Sequence, residues 1–333
     1  MTALKVLMIG GSGTISTSVA HEAVALGHEV TLLNRGQSDK RTPPSEARVL
    51  RADIKDEQSV RDAIGDESFD VVVDWLAFTT DDVRRDHRLF AGRTGQFVFI
   101  SSASAYQKPI SMLPIRESTP LHNPYWQYSR DKIACEELLT QLYREEGFPV
   151  TVVRPSHTYD EATLPIEGGW TSIARMRRGA GVVVPGDGTS LWTLTHSRDF
   201  AYAFARLLGR HEALGETFHI TSERPLPWNA IYTLIARAAG VDEPDLVHVP
   251  SDAIAAVDED WGASLIGDKA HSVLFDNAKV RSLVPGWAPQ IPFDVGAREM
   301  VGWFDADPSR QVVDERLDGL MDRLVETYRP RAL

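Results

Sequence analysis

Tyr128 and Lys132 lie four residues apart in a stretch that is predicted to be helical, so both side chains emerge from one face. A tyrosine has an ordinary pKa of about 10 and acts as a base only when that pKa is lowered. A lysine ammonium one helical turn away favours the phenolate, which could then take a hydroxyl proton while hydride leaves the carbon. The same spacing arises by chance on many helices, so its meaning depends on the surrounding elements.

A hydroxyl group is predicted close to this pair. Residues 97–100 form an apolar run typical of a buried strand, and the run ends in Ser101 and Ser102. Ser102 would hydrogen bond the substrate oxygen as charge develops on it. Ser101 and Ser104 are alternatives for that role. The predicted catalytic set is therefore Ser102, Tyr128 and Lys132.

A glycine-rich turn near the N-terminus predicts a nucleotide site. The apolar run at 6–9 leads into Gly-Gly-Ser-Gly at 10–13, and a helix is predicted to follow. Glycines permit a tight turn and close approach of the backbone to a pyrophosphate, and the helix N-terminus supplies donors. Because the turn lies between a strand and a helix, we expect dinucleotide contacts from five residues: Gly10, Ser12, Gly13, Thr14 and Ile15.

The residues at the end of the second predicted strand indicate which dinucleotide binds. NAD sites usually place a carboxylate there for the ribose 2′-hydroxyl, whereas a 2′-phosphate is bound by arginine. This chain has Asn34 and Arg35, with Lys40 and Arg41 nearby, which favours NADP over NAD. In the alternative interpretation, Arg35 stacks on the adenine and does not discriminate.

Other predicted cofactor contacts follow later strands. Asp53 is placed to accept a hydrogen bond from the adenine amino group, although it could instead be the N-cap of the next helix. Lys132 could also bind the hydroxyls of the nicotinamide ribose. The remaining expected contacts are Ile54, Ala77, Pro155 and His157.

The order of elements predicts an α/β fold. Short apolar strands alternate with amphipathic helices through the first half, which indicates a doubly wound parallel sheet, the Rossmann fold. We predict a dinucleotide-binding domain over 1–160, to which 195–222 returns. A smaller C-terminal substrate-binding domain would comprise 161–194 and 223–333, with the tail from 312 to 329 as an amphipathic helix on the surface.

Bulk properties exclude several classes of function. A net charge of −12 argues against nonspecific nucleic-acid binding. Cys135 is the single cysteine, which rules out an internal disulfide and a multi-thiolate metal site, and the ten histidines form no metal-binding pattern. No apolar run approaches the length of a membrane span, so we expect a cytoplasmic location with neither metal nor membrane. His122 and His196 receive no role from the sequence.

These motifs together resemble the extended, partly atypical short-chain dehydrogenase/reductase superfamily, in particular the NAD-dependent epimerase/dehydratase group. The resemblance spans nearly the whole chain. The 10–16 turn is similar to the family's phosphate loop, and 101–106 resembles its Ser-Ser-x-x-x-Tyr strand end. Tyr128 and Lys132 match its Tyr-x-x-x-Lys pair. Arg154-Pro155 resembles the element that borders the nicotinamide.

The resemblance implies an NAD(P)-dependent oxidoreductase that acts on a hydroxyl or keto carbon of a sugar-like or polyol substrate. Where nucleotide-sugar members carry a diphosphate-binding arginine, this chain has Trp192, which implies a less anionic substrate. A nucleotide-sugar 4-epimerase with retained NAD stays open, as does a non-catalytic RNA-binding or regulatory member of the fold. Of reduction, epimerisation and dehydration, dehydration is the reaction that the sequence supports least. The resemblance also implies a homodimer formed through helices near 81–91 and 129–146.

Overall fold

The computed structural model describes residues 2–36 and 40–330. Its strands are β1 Lys5–Ile9, β2 Glu29–Asn34, β3 Arg48–Arg51, β4 Phe69–Asp74, β5 Thr94–Ile100, β6 Val150–Pro155, β7 His157–Tyr159, β8 Val182–Pro185, β9 Leu191–Trp192, β10 Leu194–His196, β11 Thr217–Ile220, β12 Leu226–Pro227 and β13 Leu246–Val249. Its α-helices are α1 Thr14–Ala25, α2 Glu57–Ile64, α3 Thr80–Phe90, α4 Gln127–Glu146, α5 Trp170–Arg177, α6 Ser197–Ala205, α7 Trp228–Ala238, α8 Ser251–Ala255, α9 Glu259–Ser264, α10 Ala278–Leu283, α11 Phe293–Asp305 and α12 Glu315–Tyr328.

Seven parallel strands form the central sheet, in the order β11-β6-β5-β4-β1-β2-β3. This confirms the predicted doubly wound α/β fold. The direction of winding reverses between β1 and β4, and ligands of such sheets bind in the crevice outside the carboxyl ends of the strands at that point. The turn after β1 and the loop after β4 therefore border the expected site.

Alternate residues of β1 enter two separate cores, because successive side chains of a strand point to opposite faces. Val6 and Met8 pack with the helices α1 and α6, and Leu7 and Ile9 pack with α2, α3 and α4. All four of these side chains are fully buried. Burial on both faces explains why this strand is a continuous apolar run.

The chain leaves the sheet after β6 and returns to it at β11, which pairs with β6 in parallel. The helix α6 precedes that return and packs on α1. Much of the remaining chain surrounds another core, to which α5, α7, α11 and β8 contribute. The boundaries of the two domains stay a prediction, whereas the pairing of β11 with β6 is observed.

The C-terminal helix α12 is an amphipathic helix, as expected for 312–329. It begins at Glu315, where the Asp314 side chain accepts the Leu317 N–H, and one face of it is buried against β8 and β13. Arg175, itself almost fully buried, forms ion pairs with two aspartates of this helix. The tail is thus part of a core. No helix in the described part of the chain is long and apolar enough to cross a membrane.

Candidate active site

The turn after β1 requires glycine for two separate reasons. Gly10 has a φ of +86°, a conformation that favours glycine, and a Cβ there would lie 2.6 Å from Cγ of Leu76. A Cβ on Gly11 would lie 2.6 Å from Cδ2 of Leu32. The backbone therefore approaches β2 and the loop after β4 more closely than side chains would allow. The first-turn N–H groups of α1 follow directly, as a phosphate site needs.

A cavity of about 400 Å³ extends from this turn along the carboxyl edge of the sheet. Seven of the predicted cofactor residues line it: Gly10, Ser12, Gly13, Asn34, Arg35, Asp53 and Ile54. Leu76, Phe78 and Arg85 form another part of its wall. The glycine cradle, the polar end of β2 and the apolar walls fit a dinucleotide.

Arg35 and Asp53 face each other at the end of this cavity beside β2 and β3, with Nη1 and Oδ2 3.7 Å apart. Both side chains are exposed, so the pair is weak and each partner stays available to a ligand. Asn34 accepts the Gly36 N–H at 3.0 Å, which shapes the turn. The N-cap of α2 is Asp56, not Asp53, because Asp56 accepts two first-turn N–H groups.

Arg41 lies outside this cavity and is engaged elsewhere. Its guanidinium forms a buried ion pair with Asp160 and donates to Thr163 and to Thr14 Oγ1, the latter at 3.2 Å. Thr14 and Thr163 also share a hydrogen bond of 3.0 Å. The loop after β2, the start of α1 and the segment after β7 are thereby joined beside the glycine turn. Thr14 and Ile15 do not line the cavity itself.

Ser102 and Tyr128 line a second cavity, of about 300 Å³, together with Pro155 and His157. The structure thus brings two of the three predicted catalytic residues together. Pro155 and His157, expected as cofactor contacts, lie in this cavity and not in the one beside the glycine turn. Its apolar wall consists of Trp126, Trp192 and Phe275.

The three candidate serines have different partners. Ser101 is buried and donates to Glu136, away from Tyr128. Ser104 is buried between Ser102 Oγ at 2.9 Å and Ser129 Oγ at 2.8 Å. Ser102 is half-buried, and its side chain lines the same cavity as Tyr128. This geometry favours Ser102 over its two neighbours for contact with a substrate oxygen.

Lys132 is buried beneath the ring of Tyr128, with Nζ 5.8 Å from the ring centroid. Nζ donates to the carbonyl oxygens of Ala77 at 2.7 Å and Ile100 at 2.8 Å. An ammonium has three donors, so one remains for a ribose hydroxyl. Burial lowers the pKa of Lys132 to about 8. Ala77 is buried, and its carbonyl accepts a hydrogen bond from Lys132. It does not line the cavity beside the glycine turn.

The pKa of Tyr128 is raised above its ordinary value, chiefly by burial. The nearby Ser102 hydroxyl opposes this rise, and the negative charge of Asp268 adds to it. A phenolate at Tyr128 thus needs further positive charge nearby. The oxidised nicotinamide is positively charged and would supply it when bound.

His157 is held as a neutral imidazole, because burial and the nearby Lys269 charge lower its pKa to about 3. Its ring packs edge-on against Trp192, with centroids 6.3 Å apart. Neither ring nitrogen has a hydrogen-bond partner among the described residues, and the ring lines the cavity. His157 is therefore free to hydrogen bond a ligand.

Sequence reasoning missed a buried charged cluster beneath the cofactor cavity. Arg85 contacts the carboxylates of Asp74, Asp82 and Asp86. Asp74 also accepts the N–H groups of Leu76 and Ala77, which fixes the loop after β4. Burial and the neighbouring Asp74 raise the pKa of Asp86 well above its usual range. Helical spacing links Arg85 with Asp82, but no sequence signal connects them with Asp74, because helix α3 and strand β4 meet only in the fold.

Asp268 and Lys269 were also missed. They line the cavity of Tyr128 and end a π-helical turn, Leu265–Lys269, that no local pattern predicted. Within residues 2–36 and 40–330, no group of three or more His, Cys, Asp or Glu side chains is arranged to hold a metal ion.

A family model described as the NAD dependent epimerase/dehydratase family matches residues 6–91 and 88–221. The chain belongs to this family. Its cofactor is NAD(P), and it is an enzyme of the oxidoreductase or epimerase type. The resemblance seen in the sequence motifs is confirmed.

Two curated relatives are similar over about 70% of the chain. A 2'-dehydrokanamycin reductase of Streptomyces kanamyceticus is 30% identical over 242 residues, which are 71% of this chain and 67% of that protein. A chloroplast stem-loop binding protein of 41 kDa from Arabidopsis thaliana is 29% identical over 257 residues, which are 73% of this chain and 65% of that protein. The chain thus spans about two thirds of the length of each.

Solved structures support the fold. The epimerase Mth375 of Methanothermobacter thermautotrophicus superimposes with a TM-score of 0.75 at 17% identity, over 92% of this chain and 94% of that one. At this identity the similarity concerns the architecture only.

Proposed function

We propose that this enzyme is an NADP-preferring oxidoreductase that transfers hydride at a secondary hydroxyl or keto carbon of a sugar-like or polyol substrate. The observation that carries the proposal is the shared cavity of Ser102 and Tyr128, with Lys132 buried beneath. The similarity to the 2'-dehydrokanamycin reductase supports a reductase activity.

The roles of the three residues follow from their contacts. In the reducing direction Tyr128 donates its hydroxyl proton to the developing alkoxide while the cofactor supplies hydride. Ser102 hydrogen bonds the same substrate oxygen. Lys132 places a positive charge close to Tyr128, which stabilises the phenolate left after proton transfer.

The preference for NADP rests on the end of β2. Asn34 stands where a carboxylate would bind the ribose 2′-hydroxyl, and Arg35 is exposed beside it. Arg41 does not take part, since it is paired with Asp160. Arg35 is thus the guanidinium proposed to bind the 2′-phosphate, and Asp53 is proposed to accept from the adenine amino group.

The homodimer implied by the family resemblance also remains a proposal. The helices α3 and α4 pack side by side, and they are the pair that we propose as the interface. Light scattering of the purified protein would give a mass of about twice the 36.9 kDa chain if this is correct.

The deciding experiment is to denature freshly purified protein and identify what is released by absorbance and mass. An empty site that binds NADPH more tightly than NADH supports the proposed reductase and leads to a screen of carbonyl substrates. Released NAD would instead favour an epimerase that retains its cofactor and would contradict the role given to Arg35. Binding of neither dinucleotide would contradict the proposed function.

A further inference from the structure

The π-helical turn Leu265–Lys269 closes the cavity that contains Tyr128. The turn is held against the start of α4, because Asn123 donates to the Gly267 carbonyl at 2.6 Å. Gly267 has no room for a side chain: a Cβ there would lie 2.6 Å from the Cβ of Trp126. On the other side, Trp228 Nε1 donates to the Lys269 carbonyl at 3.0 Å. Single π-helical turns occur frequently at functional sites.

Lys269 is a cation without an ion-pair partner at the wall of this cavity. Its Nζ has one polar contact, Ser264 Oγ at 3.3 Å, and no carboxylate of the described residues lies within 4 Å. The Lys269 side chain lines the cavity together with His157, and its charge helps to lower the pKa of that histidine.

The neighbouring charges are already neutralised. Asp268, which precedes Lys269, forms an ion pair of 2.8 Å with Lys108, and Lys108 is fully buried. His157 is neutral. The charged groups that line the cavity are therefore Asp268, which is compensated, and Lys269, which is not.

We infer that Lys269 determines specificity by binding a single anionic group, such as a carboxylate, at the end of the substrate distant from the reacting carbon. The inference rests on the proposed function and names the substrate class for that site. One lysine and no arginine line the cavity among the described residues, so it lacks the cations that a diphosphate would require. Its volume of about 300 Å³ suits one ring, packed against Trp126, Trp192 and Phe275.

The test uses two ketones of equal shape, 4-oxocyclohexanecarboxylate and 4-oxocyclohexanecarboxamide. Their binding is measured by calorimetry in the presence of NADP⁺, with which a ketone cannot react. We expect the carboxylate to bind about tenfold more tightly, because a hydrogen bond to a charged group is favoured by more than a neutral one. Lys269→Gln should abolish this difference. Lys5→Gln, which replaces an exposed lysine at the amino end of β1, should preserve it.

Equal affinities for the two ketones, persistence of the preference in the Lys269→Gln variant, or no saturable binding of the carboxylate at millimolar concentration would each overturn the inference. If that variant does not fold, the inference is tested by the salt dependence of ketone binding to the wild-type protein. Added salt should reduce the preference for the carboxylate, since it screens the charge of Lys269. A preference that is insensitive to salt contradicts the inference.

NADPH oxidation with the same ketones separates this inference from the proposed function. Turnover of both ketones with equal kcat/KM would support the proposed reductase and overturn the role of Lys269. Binding that prefers the carboxylate and depends on Lys269, without turnover of any carbonyl compound, would keep the anion site and contradict the proposed reductase.

Discussion

Lys132 donates from Nζ to the carbonyl oxygen of Ala77 at 2.7 Å. The Ala77 N–H in turn donates to Asp74 at 3.1 Å, and Asp74 is anchored in the buried cluster around Arg85. The position of the ammonium below Tyr128 is thus set by a loop whose own conformation depends on a buried carboxylate. Residues that never touch a substrate hold the proposed catalytic lysine in place.

Replacing Tyr128 with phenylalanine tests the proposed proton transfer. Loss of the hydroxyl removes the acid/base group, and we expect kcat to fall by about 10²–10⁴-fold while the affinity for NADPH is retained. Tyr125→Phe is the matched control, because Tyr125 is exposed and lies three residues earlier. Both quantities are measured with the carbonyl compound found in the screen. Unchanged turnover in the Tyr128 variant would rule out this role.

Lys132 should make the free energy of unfolding rise with pH in the alkaline range. Its pKa is about 8 in the folded protein and near 10.5 in the unfolded chain, so between these values the unfolded state binds more protons. The free energy of unfolding contributed by this group therefore rises with pH over that interval. Urea unfolding of the cofactor-free proteins gives the free energy of unfolding of wild type and of Lys132→Met. We expect the value for wild type, relative to the variant, to rise by roughly 2–3 kcal/mol from about pH 7.5 to about pH 10. A constant difference would show that Lys132 is hydrated in the folded protein.

Arg35→Ala tests cofactor selection. If the guanidinium binds the 2′-phosphate, NADPH affinity should fall by about ten- to a hundredfold while NADH affinity changes little. Titrations of cofactor fluorescence give both dissociation constants. Arg48→Ala is a suitable control, because Arg48 is exposed on β3 and pairs with Glu67. An equal loss for both cofactors would indicate instead that Arg35 stacks on the adenine.

The ion pair between Arg41 and Asp160 should matter for stability. Both side chains are nearly buried, with exposed fractions of 10% and 4%, so Asp160→Asn leaves an uncompensated buried charge. We expect the free energy of unfolding to fall by about 3–5 kcal/mol, measured by urea denaturation. Replacing both residues with apolar ones of similar size should recover much of that loss. Glu67→Gln, which breaks an exposed pair, should cost less than about 1 kcal/mol.

Local sequence patterns were enough to predict part of the site. The glycine turn lies within one strand-turn-helix unit, and its spacing indicated the phosphate loop directly. Tyr128 and Lys132 lie one turn apart on the helix α4, so periodicity placed them on one face. The apolar run before Ser102 likewise indicated a strand end. The fold class followed from the alternation of such runs with helices.

Contacts between distant segments were beyond the reach of local patterns. Arg41 was expected near the 2′-phosphate because it follows β2, yet it pairs with Asp160, 119 positions away in the chain. Lys269 enters the site through a π-helical turn whose geometry depends on packing against Trp126. In each case tertiary packing, not propensity, decided the outcome.

The pairing of β11 with β6 also bears on how the chain matures during synthesis. β6 ends at Pro155, but its edge partner begins only at Thr217, after the segment that carries β7 to β10. At a ribosomal rate of about 5–20 residues per second, the backbone N–H and C=O groups along this edge of β6 stay unpaired for roughly 3–13 s. Open strand edges promote intermolecular association. A nascent chain halted in this interval would be prone to aggregate, and residues 1–160 produced alone would share that exposed edge.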